Sequence, residues 1–195
     1  NIFCDDFFSW YSQNKHLITF DYLVGNPPYG ANLNLKNINS SHVISGESFS
    51  YFIEFGFTLL KDVGIMRYLL PESILNVKKH YDIRKYILNN TNLNKIKKYQ
   101  TKFAGVMSDL YMLEITNDKA NSDLIFIDNK STKIPKTIFK SLKNSVITYF
   151  NQKDVAIIQK VIDIQGHNLS NSIFALGVVT GNNKEKLFDN PTDNS

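Results

Sequence analysis

Short apolar runs and amphipathic stretches alternate along the first 116 residues of the chain. Four of the apolar runs have the length and composition of strands, at residues 22–24, 65–70, 93–100 and 110–115. Between them, apolar residues recur at helical spacing, as Phe52 and Phe55 do in one stretch and Ile83 and Tyr86 in another. This order predicts an α/β fold with a mixed sheet that ends in an antiparallel hairpin.

Helix boundaries follow from polar residues at the ends of the amphipathic stretches. Ser48 is a predicted N-cap, because a serine hydroxyl can accept a hydrogen bond from the first helical turn. Helices are predicted over residues 49–61, 72–77 and 81–89, and a short helix or a loop over residues 9–19. Residues 30–48 are rich in Asn and Ser and lack periodicity, which predicts a long loop of functional or mobile character.

A polar cluster at residues 117–123 separates this part of the chain from the remainder. A short strand is predicted after it at residues 124–127, and a helix over residues 152–164 with an apolar face that includes Val155 and Val161. The pattern therefore predicts two regions, residues 1–116 and residues 117–195.

Composition narrows the class of protein without identifying it. The chain has 195 residues, of which 43% are hydrophobic and 13% aromatic, as expected for a folded domain. A net charge of +4 permits a polyanionic partner but does not require one. Cys4 is the only cysteine and the four histidines are scattered, so we expect neither a disulfide framework nor a metal site. No apolar run approaches the ~20 residues of a membrane span, and we expect a cytoplasmic protein.

One segment is unusual for the end of a strand. The apolar run of residues 22–24 stops at Gly25 and is followed by Asn26, Pro27, Pro28 and Tyr29, which we call the NPPY turn (residues 26–29). Two prolines set two φ angles and remove two N–H donors, and Pro27 also moves Asn26 out of the helical region. The result is a stiff turn that holds an amide, free carbonyls and an aromatic ring in a defined relation.

The NPPY turn resembles the catalytic motif of amino-group methyltransferases that use S-adenosylmethionine. The ordered set of Asp6-Phe7, residues 20–30, residues 51–54, residues 59–64 and Pro71 resembles N6-adenine DNA methyltransferases of type II and type IIG restriction–modification systems. The resemblance covers about residues 1–116, and residues 176–188 weakly resemble the entry into a target-recognition region. It implies a Rossmann-like methyltransferase fold, a methylated DNA adenine, and double-stranded DNA as partner, with a nuclease or specificity part fused or separate. On this basis residues 117–195 form a connector and the start of target recognition.

The resemblance assigns all four residues of the turn, Asn26, Pro27, Pro28 and Tyr29, to catalysis. The exocyclic amine of adenine is a poor nucleophile, because its lone pair is delocalised into the ring. Acceptors on its two N–H bonds, here the Asn26 side-chain oxygen and the Pro27 carbonyl, would draw it toward a tetrahedral shape and need little reorganisation. Tyr29 would stack on the flipped-out base, with Phe103 on the other side. For both rings, a place in the core is the alternative.

The same resemblance implies where the adenine ring of S-adenosylmethionine binds. Asp6 would accept a bond from its amino group, Phe7 would pack on the ring, and Phe52 and Asn26 would complete the pocket. The alternatives are an exposed turn carboxylate for Asp6, with Asp5 one residue away, and core aromatics for the rings. No Gly-x-Gly turn occurs in the sequence, although this fold places one after its first strand. We therefore expect an N-terminally truncated chain that binds the cofactor poorly, is inactive alone, and leaves the strand at residues 22–24 without one neighbour.

Two further functions stay open at this point. The same tetrapeptide occurs in protein glutamine and RNA amino-methyltransferases, although the roughly eighty residues beyond the hairpin favour DNA. A DNA-binding or specificity module with a decayed site is the non-enzymatic alternative. Lysine clusters could contact phosphates or simply be solvated; they lie at residues 78–79, 95–98, 133–143 and 184–186.

Overall fold

The computed structural model describes residues 4–31, 33, 39–99, 109–118, 123–128, 132–149, 151–164 and 172–173. The chain divides into one unit of residues 1–163 and another of residues 164–195. All helices and strands given below belong to the first unit.

Helices and strands alternate along the first unit. The strands are β1 (Phe20–Gly25), β2 (Leu60–Pro71), β3 (Asn92–Tyr99), β4 (Leu110–Thr116), β5 (Leu124–Ile127) and β6 (Thr132–Pro135). The helices are α1 (Phe7–Asn14), α2 (Ser48–Thr58), α3 (Ser73–Asn76), α4 (Tyr81–Asn90), α5 (Lys136–Ser141) and α6 (Gln152–Asp163), with 3-10 turns at Lys78–His80 and Lys143–Ser145.

The six strands form one mixed sheet in the order β1-β2-β4-β3-β5-β6. β1 runs parallel to β2, and β3 runs parallel to β5, while the other pairs are antiparallel. The β3–β4 pair is the predicted hairpin, which is confirmed. β1 lies at one edge, so within the described residues it has a neighbour on one side only, as expected from the sequence.

The core lies between one face of the sheet and the helices. Ile53 of α2 and Ile87 of α4 are fully buried, as are Met66 and Leu70 of β2. Burying a side chain of this size contributes about 1.5–3 kcal/mol relative to exposure. Because α2 packs against β2 in this core, the N-terminus of α2 has a defined position relative to the neighbouring strand β1.

Several boundaries differ from the sequence prediction. Glu47, rather than Ser48, is the N-cap of α2, and Ser48 is the first helical residue. β2 begins at Leu60 instead of residue 65, because Leu60 pairs with Phe20 of β1, across a register shift that takes in the polar stretch between. β6 and α5 were not predicted, since four residues of mixed polarity carry too little periodicity without β5 beside them.

The chain after residue 116 continues the same sheet. β5 pairs with β3, and β6 pairs with β5. In α6 only the first half of the predicted apolar face packs: Val155 and Ile158 contact the core, whereas Val161 is exposed. The proposed division at residues 116 and 117 stays a prediction.

Candidate functional site

The NPPY turn follows the carboxyl end of β1, where a parallel strand opens toward a binding crevice. Gly25 pairs with Tyr68 of β2, and a Cβ at residue 25 would lie 3.1 Å from Cε1 of the tyrosine ring. The absence of a side chain therefore lets the ring approach the strand end. Pro27 is buried, whereas Asn26 and Pro28 are exposed. The turn is therefore packed against the protein through Pro27, and the side chain of Asn26 is accessible.

An aromatic pocket lies beside the turn, with a volume of about 440 Å³, in the range of small-molecule sites. Its lining comprises Phe7, Trp10, Phe20, Tyr22, Leu23, Val24, Gly25, Asn26, Pro27, Pro28, Phe52, Leu59 and Tyr68. The pocket brings together five residues that the sequence assigned to the site, three in the turn plus Phe7 and Phe52. The rings of Phe7 and Phe52 stack at 4.8 Å between centroids.

Four further rings line this pocket without having been predicted, those of Trp10, Phe20, Tyr22 and Tyr68. Trp10 lies in α1 and Phe20 in β1, and their centroids are 6.1 Å apart. Tyr68 reaches the pocket from β2, and burial raises the pKa of its phenol. Ordinary hydrophobic periodicity explains each of them equally well as core, so only the tertiary structure identifies them as pocket residues.

Asp6 has a local structural role. Its Oδ1 accepts a hydrogen bond from the Ser9 amide at 2.9 Å and caps α1. Asp5 Oδ1 accepts from the Asp6 amide at 2.8 Å. Asp6 is exposed and is not among the residues that line the aromatic pocket. Its predicted contact with the cofactor, and the alternative at Asp5, therefore stay predictions.

Tyr29 is joined to the turn through its hydroxyl group. The hydroxyl donates to Oδ1 of Asn26 and, at 3.0 Å, to the carbonyl oxygen of Leu69. A phenol carries one proton, so the two acceptors share it. Burial raises the pKa of Tyr29, which keeps the phenol protonated at neutral pH. The ring packs partly against the core, and its predicted stacking on a base stays a prediction.

The N-terminus of α2 binds the chain that leaves the turn. The Glu47 carboxylate accepts from the Gly30 amide at 2.6 Å. The Ser48 hydroxyl donates to the Pro28 carbonyl at 2.5 Å and accepts from the Ala31 amide at 3.2 Å. The sequence predicts Ser48 only as a helix cap and predicts no role for Glu47, because nothing in it places either residue beside the turn.

Two carboxylates hold the described part of the long loop. Glu54 of α2 is buried and accepts from the amides of Ser41 and His42, each at 3.1 Å. Asp82 of α4 accepts from the amides of Ile44 and Ser45 at 2.6 and 2.7 Å. Residues 40–45 are therefore fixed to the helices on both sides, and the loop approaches α2 in a defined conformation.

The lysine clusters are not uniformly available for phosphate. Lys136 is buried, with its Nζ donating to Asn92 Oδ1 at 3.2 Å, and burial lowers its pKa. Neither alternative given for its cluster, phosphate contact or a solvated face, therefore holds for Lys136. Lys98 forms an ion pair with Asp109. Phe103 and the cluster at residues 184–186 lie outside the described residues.

The described residues contain neither a candidate membrane-spanning helix nor a candidate metal-binding group. None of the described helices is long and apolar enough to cross a membrane. No group of three or more His, Cys, Asp or Glu in the described part of the chain could hold a metal ion.

Residues 4–104 match the model of the Eco57I restriction-modification methylase family. The type II methyltransferase M.HincII of Haemophilus influenzae is 25% identical over 151 residues, which cover 70% of this chain and 30% of that protein. The type II restriction enzyme and methyltransferase RM.Eco57I of Escherichia coli is 28% identical over 88 residues, or 40% of this chain and 9% of that protein. The chain thus spans less than a third of these relatives.

Among solved structures, the chain is similar to the type I restriction-modification methyltransferase subunit of Streptococcus thermophilus, with a TM-score of 0.48 and 20% identity over 76% of this chain and 33% of that chain. The type IIG restriction endonuclease BpuSI matches with a TM-score of 0.48 and 15% identity over 78% of this chain and 21% of that chain.

The family match confirms the resemblance carried by the NPPY turn and the ordered motifs around it. The mixed six-stranded sheet confirms the predicted α/β class. Methylases of restriction-modification systems use S-adenosylmethionine, which confirms the expected cofactor. The aromatic pocket fits the purine of that cofactor, because its flat apolar rings can pack against a base. No charged side chain is among the described residues that line it.

Proposed function

Because the chain belongs to the Eco57I restriction-modification methylase family, we propose that its protein methylates the N6 amine of adenine in double-stranded DNA at a specific sequence. S-adenosylmethionine supplies an activated methyl group on a sulfonium. In this proposal residues 1–116 carry catalysis, residues 117–195 lead into target recognition, and the protein works in the bacterial cytoplasm beside a nuclease or specificity part.

The observation that carries the proposal is the NPPY turn at the open end of β1, directly beside the aromatic pocket. The Asn26 oxygen and the Pro27 carbonyl are the acceptors for the two N–H bonds of the adenine amine. The Pro28 carbonyl is already engaged by Ser48, and no described residue donates to the Pro27 carbonyl. Preorganised acceptors favour the transition state, because they need no reorientation when the amine becomes tetrahedral.

The shared proton of Tyr29 supports a role for Asn26 as an acceptor. Before substrate binds, the phenol satisfies the Asn26 oxygen and also reaches the Leu69 carbonyl at 3.0 Å. When an adenine amine donates to Asn26, the phenol can keep its bond to Leu69 alone. The Asn26 oxygen is thereby freed without leaving a buried hydroxyl unpaired, which would cost about 1–3 kcal/mol.

The pocket supports a place for the methyl donor. Phe7 and Phe52 would flank the purine of S-adenosylmethionine, with Asp6 accepting from its amino group. Their stacked arrangement in the described structure shows that both rings reach the same space. On the base side, a flipped adenine stacked on Tyr29 recovers about 1–3 kcal/mol of the extrusion cost, and Phe103 would close the pocket.

The experiment incubates the intact protein with S-adenosylmethionine and genomic DNA that lacks adenine methylation. We expect N6-methyladenine by mass spectrometry of the nucleosides, at one sequence context on sequencing. Asn26→Ala should lower the rate at least about 100-fold, since loss of one transition-state acceptor has that scale. Asn151→Ala is the matched control, because it removes an amide that caps α6, outside the NPPY turn and the aromatic pocket.

Three outcomes contradict the proposal. Methyl transfer to a protein glutamine or to RNA, with none to DNA, would move the protein to another class of amino-methyltransferase. DNA binding with no methylation of any substrate would make it a specificity module. Undiminished methylation by Asn26→Ala would remove the turn from the chemistry.

A further inference from the structure

We propose that Glu47 and Ser48, at the N-terminus of α2, are positioning residues that set the geometry of the NPPY turn; this rests on the proposed function. Neither residue lines the aromatic pocket. They bind the chain just beyond the acceptors and would act on catalysis only through the position of Asn26 and Pro27.

The contacts all fall on one short segment, residues 28–31. Glu47 accepts from the Gly30 amide at 2.6 Å. Ser48 donates to the Pro28 carbonyl at 2.5 Å and accepts from the Ala31 amide at 3.2 Å. One carboxylate and one hydroxyl thus satisfy a carbonyl and two amides within four consecutive residues. Ser48 is fully buried, so solvent does not compete for its bonds.

The turn needs such an external support. Its two prolines have no N–H groups, so the turn cannot hold itself through backbone bonds from residues 27 and 28. Gly30 follows with φ of 61°, a conformation that other residues rarely adopt. Upstream, pairing of Gly25 with Tyr68 anchors the strand end. The bonds to Glu47 and Ser48 anchor the downstream end, and Asn26 and Pro27 lie between the two anchors.

Glu47 and Ser48 are themselves held in place, because α2 is packed in the core. α2 is an 11-residue helix with eight buried residues, and Glu47 also accepts from the Ser48 amide at 3.2 Å as its N-cap. The helix therefore offers two side chains whose positions are set by packing and capping. A misplacement of about 1 Å in a reacting group can cost about 100-fold in rate, so loss of these bonds should lower kcat rather than cofactor affinity.

Two substitutions at one position separate positioning from helix capping. Glu47→Asp keeps a carboxylate that is a favoured N-cap, but the side chain is one methylene shorter and no longer reaches Gly30. Glu47→Gln keeps the length and an oxygen that can accept from the Gly30 amide. Positioning predicts that Glu47→Asp loses about 10-fold or more in kcat while Glu47→Gln stays within about 3-fold of wild type. Pure capping predicts the reverse order.

The assay uses the intact protein, S-adenosylmethionine and unmethylated genomic DNA, with kcat and the KM for the cofactor measured separately. We expect the KM to change less than about twofold in both variants, because neither changes a pocket residue. Ser48→Ala should resemble Glu47→Asp. Equal kcat values for Glu47→Asp and wild type, or a loss confined to KM, would overturn the proposal.

A second measurement does not depend on methylation. Amide hydrogen exchange should accelerate about 10-fold or more at Gly30 in Glu47→Asp and at Ala31 in Ser48→Ala, because each amide loses its acceptor. The amides of Ile44 and Ser45, which Asp82 holds, are internal controls. Unchanged exchange at residues 30 and 31 overturns the positioning role. If exchange changes as expected but the protein methylates no DNA, the hydrogen bonds from Glu47 and Ser48 to the turn are supported, and the proposed function is overturned instead.

Discussion

The two sides of the site are held by different forces. On the turn side, directional hydrogen bonds from Glu47, Ser48 and Tyr29 determine where each carbonyl and amide points. On the pocket side, aromatic rings such as Phe7 and Phe52 are held by apolar contact with one another, which has no preferred hydrogen-bond direction. In the proposed reaction the acceptors must meet an amine at defined angles, whereas a flat ring can slide between apolar surfaces at little cost.

The two sides also differ in how far they are enclosed. The turn is bounded by β1, β2 and α2, and Pro27 is buried within it. The pocket opens along the edge strand β1, where Tyr22 is 69% and Val24 is 76% exposed. The described residues therefore include both proposed acceptors and the bonds that hold the turn, while the proposed cofactor side depends on apolar contact area. Substitutions on the two sides should consequently change different constants.

After the loss of rate expected for Asn26→Ala on the turn side, the next largest effect is expected on the pocket side, for Phe52→Ala. The substitution removes a ring that stacks on Phe7 at 4.8 Å and contacts Phe8 at 4.9 Å. Loss of about 2 kcal/mol of apolar contact corresponds to about 30-fold weaker binding of S-adenosylmethionine. Isothermal titration of the intact protein with the cofactor measures this change.

The control for this prediction is Tyr81→Ala, which removes an exposed ring at the start of α4, outside the pocket lining. It should leave cofactor affinity within about twofold, since surface substitutions usually change little. Equal affinities of Phe52→Ala and wild type, with both folded in a thermal melt, would exclude Phe52 from the cofactor site.

A smaller effect is expected on the turn side, for Tyr29→Phe. The variant keeps the ring that would stack on the base but loses the hydroxyl that donates to Asn26 and Leu69. The bond to Leu69, which remains when the amine occupies Asn26, contributes about 1 kcal/mol to holding the ring in place, so kcat should fall about 3- to 10-fold. Steady-state methylation kinetics check this, and a change in cofactor affinity without a change in kcat would contradict the division of the site.

The smallest effect concerns pH. Burial raises the pKa of Tyr29 above its usual value of about 10. The unfolded chain releases this proton near pH 10, whereas the folded chain retains it. The contribution of the protonated phenol to the free energy of unfolding is therefore complete below pH 10 and is lost as pH rises above that value. The difference in kcat between wild type and Tyr29→Phe should therefore be constant from pH 7 to about 9. A difference that vanishes by pH 8 would mean that the phenol ionises early.

The order of elements could be predicted because strong periodicity survives in single segments. Ile83, Tyr86 and Ile87 of α4 are buried as their spacing implies, and Ile96 of β3 is buried between lysines that are not. Prediction failed where pairing partners decide the conformation, as in the polar start of β2 and in β6. A strand of four residues acquires its hydrogen bonds only from its neighbour, so its own composition carries little information.

For the site, the local stiffness of the NPPY turn and its apolar neighbours were determined by the sequence itself. Proline geometry and the end of an apolar run act over a few residues and need no tertiary contact. The ordered motifs also predicted the family and its cofactor from the sequence, and the family match confirms that prediction.

Tertiary structure alone decided which distant side chains meet that turn. Glu47 and Ser48 are about twenty positions away from Pro28 along the chain, and no spacing rule connects a helix N-terminus to a loop across that distance. Packing of α2 against β2 brings them together, and the same packing places Phe52 against Phe7. Side-chain contacts across the fold depend on how layers pack, which is a property of the whole sheet and its helices.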